Sequence, residues 1–311
     1  MGTAKVERVA EGLYVADLGP LDTYGWMSTY VAIGTKALVV VDPGPRTSAD
    51  TLVKLLEGSS GRLGRVYVAL THIHIDHSGA VGDLVRLLPG AKVLVHPRGV
   101  KHLIDPSKLW QSSLEVLGDL ARDFGEPRPV PPEAIVPVED GATIDLGDLR
   151  LLAVHTPGHS PHHVSYLLEP SGVLFAGDSI ANYFNGRAYP VTVYPFNALE
   201  YLSSLRKMAE LRPNRVAVAH YGVVAEAPEV FIQRTKDKLY AWVYLIERLL
   251  SSGVHDPERV YLEVLREDLE LAYAKYLEDS LPAFRGSTYR VIKGLLGYLL
   301  NRGVAQTSVP S

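Results

Sequence analysis

The sequence predicts an α+β fold in which two β-sheets are covered by helices, followed by a helical C-terminal part. Over residues 1–225, short β-branched apolar runs are separated by Gly/Pro turns, and helical stretches lie between them without strict alternation. Beyond about residue 226 the strand pattern ends, and the remainder, 226–311, has the pattern of nearly continuous helix. We therefore predict two parts, a domain with two sheets over 1–225 and a helical subdomain over 226–311.

The predicted elements follow from apolar periodicity and from turn residues at their ends. Strands are predicted at Leu13–Val15, Tyr30–Ile33, Ala37–Val41, Val66–Leu70, Lys92–Val95, Leu149–Val154, Val164–Leu168, Val173–Phe175 and Val216–Ala219. Helices are predicted at Ser48–Leu56, Gly79–Leu87, Leu109–Phe124, Leu199–Leu211, Glu229–Ser251, Pro257–Tyr276 and Ser287–Asn301.

The segment 102–133 interrupts this pattern of short strands and helices. It carries a helical stretch and then a passage rich in proline, which does not fit inside a sheet. A surface excursion and a lid over a functional site both fit this pattern, and both interpretations stay open.

Composition excludes several classes of site and protein. The chain has no cysteine, which removes disulfides, thiolate metal ligands and cysteine nucleophiles. Its formal net charge of -4 argues against a nucleic-acid partner. No apolar run approaches the roughly 20 residues that cross a bilayer, and the N-terminus lacks the layout of a signal peptide. We expect a cytoplasmic protein that acts on a small molecule without a membrane partner.

The most informative segment is the motif His72-Ile73-His74-Ile75-Asp76-His77. It follows the predicted strand Val66–Leu70 and precedes the predicted helix Gly79–Leu87. A single histidine is usually a packed or surface residue, but three histidines and an aspartate at this spacing indicate a metal site. Imidazole and carboxylate are ligands that zinc, iron and manganese accept.

Three later segments share one arrangement, in which a strand ends and a ligand-type residue follows in a tight turn. They end in Thr156-Pro157-Gly158-His159, in Gly177-Asp178 and in Ala219-His220. Glycine or proline beside each residue allows a sharp turn and leaves room next to a metal. We expect these turns to open at the same edge of the sheets as the first motif.

Taken in order, these motifs resemble the metallo-β-lactamase superfamily in its HxHxDH form, over roughly residues 6–225. The resemblance implies a four-layer αββα sandwich and two divalent metal ions, with zinc expected and iron or manganese as alternatives. It implies that Asp178 bridges the two ions and that Asp42 supports the site from behind the ligands. The remaining ligands that it implies are His72, His74 and His159 for the first ion, and Asp76, His77 and His220 for the second.

Differences between this sequence and the better-known branches of the family reduce the number of activities that the resemblance implies. The lack of cysteine argues against β-lactam hydrolysis, and His74 stands where flavodiiron proteins carry glutamate. The insertions of the processing nucleases are absent. The chain is thus similar to the glyoxalase II, lactonase and small-ester branch, with persulfide dioxygenases as a redox neighbour. His162 and His163 are interpreted as packing or supporting groups rather than ligands.

The implied mechanism is attack by a metal-bridging hydroxide on the carbonyl of an ester, thioester or lactone. Asp76 and Asp178 are the predicted catalytic carboxylates. A tyrosine hydroxyl is expected to assist, with Tyr183 as the first candidate and Tyr194 and Tyr221 behind it.

Three other functions remain open. A phosphodiesterase or RNase would use the same metal pair. A mononuclear iron dioxygenase acting on persulfides would use only His72, His159 and Asp178. A scaffold that has lost catalysis would be expected to lack some of the ligand-type residues, yet all are present. The C-terminal helices also suggest a homodimer.

Overall fold

The computed structural model describes residues 4–60 and 65–307. Its strands are β1 Lys5–Ala10, β2 Leu13–Asp17, β3 Thr29–Ile33, β4 Leu38–Val41, β5 Val66–Ala69, β6 Lys92–Val95, β7 Ile135–Pro137, β8 Thr143–Asp145, β9 Arg150–His155, β10 Val164–Glu169, β11 Val173–Gly177, β12 Ala181–Phe184, β13 Arg187–Pro190, β14 Arg215–Val218 and β15 Gly222–Val223. Its helices are α1 Ala49–Ser60, α2 Ile75–Ser78, α3 Val81–Leu87, α4 Val100–Ile104, α5 Ser107–Leu117, α6 Asp119–Phe124, α7 Ala198–Glu210, α8 Pro228–Ser251, α9 Pro257–Glu267, α10 Leu269–Ser280 and α11 Ser287–Thr307.

Two mixed sheets form the centre of the molecule. The first has seven strands in the order β1-β2-β3-β4-β5-β6-β7, antiparallel up to β4 and parallel from β4 to β7. The second has six strands in the order β15-β14-β11-β10-β9-β8, and β11 and β14 are its parallel pair. Strands β12 and β13 form a separate antiparallel ribbon.

The alternation of side chains along the central strands builds the layers. On β4, Leu38 and Val40 face a cluster that they share with helices α1 and α3. The alternate residues Val39 and Val41 face the second sheet, where they join a cluster that contains Tyr166. A strand that is apolar on both faces is expected when both faces are covered. Each such side chain contributes about 1.5–3 kcal/mol when fully buried.

The C-terminal helices cover the outer face of the second sheet. Leu174 of β11 and Val216 of β14 belong to one apolar cluster with Phe231 and Trp242 of α8 and with Leu295 of α11. The layers are therefore helix, sheet, sheet and helix, and the predicted α+β fold with a C-terminal helical region is confirmed. The position of the boundary at residue 225 stays a prediction.

Two predicted helices are each divided in the structure. The predicted helix Leu109–Phe124 is broken at Gly118, whose φ of 60° and ψ of -126° suit only glycine. The predicted helix Pro257–Tyr276 is broken at Asp268, whose carboxylate caps α10 by accepting bonds from the amides of Glu270 and Leu271. Helix α11 also continues past its predicted end at Asn301.

The strands that the sequence does not predict are short or exposed. They are β1, β7, β8, β12, β13 and β15, and β1, β8 and β15 occupy sheet edges or ends. β1, β7, β8 and β15 carry little apolar signal because few of their side chains are buried, whereas β12 and β13 are largely buried but only four residues long. Among the described residues, no helix has both the length and the apolar content needed to span a membrane.

Candidate metal centre

The predicted ligand residues come together where their strands end. His72 and His74 follow β5, while Asp76 and His77 lie one turn later in the short helix α2. His159 follows β9. Three overlapping groups of three residues each offer ligand atoms, and within each group these atoms lie within 4.8 Å of one another. These groups are His72, His74 and His159; His72, His77 and Asp178; and Asp76, His77 and His220.

Hydrogen bonds behind the site fix which ring nitrogen faces inward. The Nδ1 atom of His159 donates to the Val191 carbonyl at 3.1 Å, and that of His220 donates to the Trp26 carbonyl at 2.9 Å. The Nδ1 atom of His77 donates to Asp42 Oδ2 at 2.9 Å. A neutral imidazole has one N–H, so the Nε2 atom of each ring is left with a free lone pair.

The same reasoning applies to His72. The Thr71 hydroxyl donates to Asp42 Oδ2 at 2.6 Å, so it accepts from His72 Nδ1 at 3.1 Å. His72 Nε2 then lies 2.8 Å from His74 Nδ1, which lies 3.1 Å from His159 Nε2. One proton on His74 would satisfy only one of its two neighbours. Three nitrogens that converge in this way are suited to a shared cation.

Asp178 lies between two halves of the cluster, the first made of His72, His74 and His159 and the second of Asp76, His77 and His220. Its Oδ2 atom is 3.6 Å from His77 Nε2 and 3.7 Å from His159 Nε2, and its Oδ1 atom is 3.8 Å from His220 Nε2. Among the described residues, His77 Nε2 and Asp178 Oδ1 are buried without a hydrogen-bond partner. Ligands 2.0–2.1 Å from a tetrahedral zinc ion lie about 3.3 Å apart. The residues present therefore fit divalent metal, which they would hold through imidazole nitrogens and carboxylate oxygens.

Asp76 completes the second half of the cluster. Its Oδ2 atom lies 3.7 Å from His77 Nε2 and 3.6 Å from His220 Nε2. Asp76 is partly exposed, whereas His77 and His220 are buried. This half of the cluster is thus open on the side that Asp76 occupies.

Burial and charge prepare these side chains for a metal. Burial, together with neighbouring imidazoles, holds the pKa of His72 well below its usual range, and burial and His159 lower the pKa of His74 to about 3. Burial also acts to lower the pKa of His77, but Asp178 and other carboxylates outweigh it and raise that pKa. His72 and His74 are consequently neutral at physiological pH, the form that binds metals.

Two residues outside the ligand groups hold the loops in place. Asp42 adopts a positive φ of 50° and also accepts the Thr71 amide at 2.8 Å. His163 Nε2 accepts the amide of Asp178 at 3.1 Å. A Cβ atom on Gly177 would lie 2.7 Å from that ring nitrogen, so glycine is needed for the close approach.

A cavity of about 540 Å³ opens over the cluster. Its floor includes His74, Asp76, His159, Asp178 and His220. Helix α5, from the predicted insertion 102–133, forms one wall, and the segment 283–291 of the C-terminal part forms another. His162 also lines the cavity, whereas His163 is fully buried. The insertion thus borders the site, and its role as a lid stays a prediction.

The structure does not bring Tyr183 to this cavity. Side chains alternate along β12, so Asn182 and Phe184 face the cavity and Tyr183 faces away. The Tyr183 ring instead packs edge-on against Phe231, with centroids 5.8 Å apart. The Tyr183 hydroxyl therefore does not lie where our expectation that it assists catalysis requires it to be.

The other two candidate tyrosines also differ in position. Tyr221 lines a separate depression together with Tyr183. Tyr194 does line the cavity, but 68% of it is exposed, which places it at the rim.

Sequence reasoning did not connect Asn182, Ser287 or Arg290 with the site, although all three line the cavity. Asn182 is buried, and its Oδ1 atom has no partner among the described residues. Ser287 and Arg290 lie in α11, far along the chain from every ligand motif, so no local pattern connects them with the site.

Comparison with known proteins is consistent with this geometry. Residues 25–220 match the family described as the Metallo-beta-lactamase superfamily. A metallo-beta-lactamase fold-containing protein of Sulfurisphaera tokodaii is 34% identical over 234 residues, which cover 73% of this chain and 84% of that protein. An atrochrysone carboxyl ACP thioesterase of Aspergillus fumigatus is 28% identical over 230 residues, 72% of this chain but only 45% of that protein.

Solved structures show the same fold. An archaeal metallo-beta-lactamase superfamily protein from Sulfolobus tokodaii matches with a TM-score of 0.64 and 33% identity, over 73% of this chain and 85% of that one. A metallo-beta-lactamase family protein from Thermus thermophilus matches with a TM-score of 0.65 and 20% identity, over 95% of each chain. The fold, the matching family and the relatives together show that this chain belongs to the metallo-β-lactamase superfamily.

Proposed function

We propose that this protein is a metal-dependent hydrolase of a small-molecule ester, thioester or lactone. The observation that carries the proposal is the position of Asp178, whose two oxygens face ligand atoms from both halves of the cluster. In this proposal one divalent ion is held by His72, His74 and His159. The other is held by Asp76, His77 and His220, and Asp178 binds both.

Each part of the chain has a distinct role in this proposal. A pair of divalent ions supplies a water whose pKa is lowered towards neutrality and a positive centre that polarises a carbonyl. Asp42 orients the His77 ring, and His163 holds the backbone of Asp178, through the hydrogen bonds described above. The apolar walls of the cavity exclude water from around a bound acyl group. We propose zinc as the metal, although iron and manganese accept the same ligands.

Hydrolysis of an acyl bond agrees best with the surroundings of the cluster. The cavity walls contain Trp26, Leu117, Phe124 and Phe284, which suit a carbon-rich acyl group better than a phosphodiester. One relative is named a thioesterase, which supports an acyl substrate. The second ligand group, Asp76, His77 and His220, would have no role in a mononuclear dioxygenase.

The decisive experiment combines metal analysis with a substrate panel. Protein purified without added metal is analysed by mass spectrometry for metals and assayed with thioesters, lactones, aryl esters and phosphodiesters. We expect two metal ions per chain and turnover of at least one acyl substrate. His74→Ala and Asp178→Ala should each lose metal and lower kcat by about 100-fold or more.

His255→Ala is the matched control, because His255 is exposed and lies outside the ligand groups. It should keep both the metal content and the activity of the wild type. One iron per chain with oxygen uptake and no hydrolysis would contradict the proposed function.

A further inference from the structure

Arg290 lies at the wall of the cavity, and no carboxylate among the described residues pairs with it. It stands in the first turn of α11, and its Nη1 atom donates to the Arg285 carbonyl at 2.8 Å. No ion pair joins Arg290 to any of the described residues in 4–60 and 65–307. Glu278 is the acid whose charge acts most strongly on Arg290.

Glu278 is already occupied by other donors. Its Oε1 atom accepts the amide of Gly286 at 2.9 Å. Its Oε2 atom accepts the amide and the hydroxyl of Thr288, at 2.9 and 2.7 Å. Lys275 Nζ also lies near, 3.7 Å from Oε1. Glu278 therefore caps the start of α11 and leaves the guanidinium of Arg290 without a counterion.

A half-buried cation without a counterion is unfavourable. Burial lowers the pKa of Arg290, but a guanidinium stays protonated in proteins. Four of its five N–H donors remain after the bond to the Arg285 carbonyl. Such a group is stabilised when an anion enters the same space.

The remainder of the cavity defines what kind of molecule would carry that anion. The cavity that Arg290 borders also has apolar lining residues, among them Phe184, Phe284 and Val291. Arg290 lines the same cavity as Asp76, whose charge acts to raise the pKa of Arg290. Lys108 also borders the cavity but is exposed at its outer side.

We propose that Arg290 binds a carboxylate carried by an otherwise apolar acyl substrate, with the scissile carbonyl at the metal cluster. This inference rests on the proposed function and names its substrate class. A guanidinium matches a carboxylate in shape and pairs with it through two parallel hydrogen bonds. One guanidinium balances the single charge of a carboxylate, whereas a phosphate of nearly two charges would stay undercompensated.

The first test compares esters that differ only in one terminal carboxylate. The 4-nitrophenyl monoesters of glutaric, adipic and suberic acid are paired with the 4-nitrophenyl esters of pentanoic, hexanoic and octanoic acid. The wild type should prefer the charged member of at least one pair, as measured by kcat/KM. Arg290→Gln should lower the charged-to-neutral ratio by about 10- to 100-fold, mainly through KM.

Two further variants keep this test decisive. Arg290→Lys retains the charge but not the planar fork, so its ratio should lie between those of the wild type and Arg290→Gln. Lys293→Gln removes an exposed cation one turn further along the same helix and should leave the ratio unchanged. If Arg290→Gln does not fold, the wild-type preference and Arg290→Lys decide the question. A wild type that prefers the neutral ester in every pair overturns the inference.

A binding experiment separates this inference from the proposed function. Naphthalene-2-carboxylate and the neutral naphthalene-2-carboxamide are titrated calorimetrically into metal-free protein. The carboxylate should bind more tightly, and Arg290→Gln should remove the difference. That result without hydrolysis of any ester would refute the proposed function and support the role of Arg290. Hydrolysis with an unchanged ester ratio and unchanged binding would refute the role of Arg290 alone.

Discussion

Asp42 accepts three hydrogen bonds directly behind the candidate metal centre. Its donors are the amide and hydroxyl of Thr71 and the Nδ1 atom of His77. Asp42→Asn keeps the size of the side chain but removes its charge and replaces one acceptor with a donor. We expect the metal affinity to fall by about 10- to 100-fold, because Asp42 orients the His77 ring and the loss of such a supporting hydrogen bond weakens metal binding. Competition with a chelator of known affinity measures this change.

Asp83→Asn is the matched control for that prediction. Asp83 is also a buried carboxylate, but it pairs with Arg46 and Arg128 away from the cluster. Its substitution should lower the stability of the fold and leave the metal affinity unchanged. Equal losses of metal affinity in both variants would show that Asp42 acts only through general stability.

At the scale of elements, Gly118 decides where the helices over the cavity divide. Its φ of 60° is strained for any L-residue, and no atom lies within 4 Å of an added Cβ. Gly118→Ala should therefore destabilise the protein by about 1–3 kcal/mol through backbone strain alone. Gly297 in α11 also has open space but no positive φ, so Gly297→Ala should stabilise by about 0.5–1 kcal/mol. Urea unfolding followed by circular dichroism measures both, and shifts of equal sign would refute this account.

At the scale of the whole molecule, the stability of the metal-free protein should fall both when the pH drops below about 6.5 and when it rises above it. Burial lowers the pKa of His72 and His163 well below 6.5 and that of His74 to about 3. Between those lowered pKa values and 6.5, the unfolded chain binds more protons than the folded chain, so the free energy of unfolding falls as the pH drops.

The opposite effect comes from His77 and His220. Burial opposes their protonation, but nearby carboxylates raise both pKa values. Their contribution is fully present below 6.5 and is lost as the pH rises through the folded pKa.

We therefore expect the melting temperature of metal-free protein to be highest near pH 6.5. Thermal unfolding in the presence of a chelator, from pH 4.5 to 9, tests this expectation. A melting temperature that rises steadily over the whole range would contradict it.

Metal should stabilise the whole molecule as well, because a ligand that binds only the folded state shifts the equilibrium towards it. Removal of metal is expected to lower the melting temperature at pH 7, and added zinc should restore it in the wild type but not in Asp178→Ala. Restoration to the same degree in both proteins would show that the bound ion lies elsewhere.

The association state also belongs to this scale. Several large apolar side chains are exposed on the C-terminal helices, among them Tyr240, Tyr244, Leu262, Leu269 and Tyr276. The homodimer remains a prediction, which light scattering of the purified protein measures directly. A monomer at micromolar concentration would contradict it.

The sequence by itself determined the family and the set of residues that meet at the cluster. Most of them follow a strand after a short turn, as at His72 and His159, and Asp76 and His77 lie in the short helix that comes next, so local spacing was sufficient to find them. The long apolar strands of both sheets were predicted for a similar reason, since burial on both faces leaves a continuous signal.

Only the tertiary structure decided which further side chains reach the cavity. Tyr183 and Asn182 are neighbours in sequence, but the alternation of β12 turns one away from the site and the other towards it. Helix α5 and Arg290 reach the cavity from distant parts of the chain through the packing of whole helices. No local pattern encodes such contacts, because they depend on how the apolar faces of separate elements fit together.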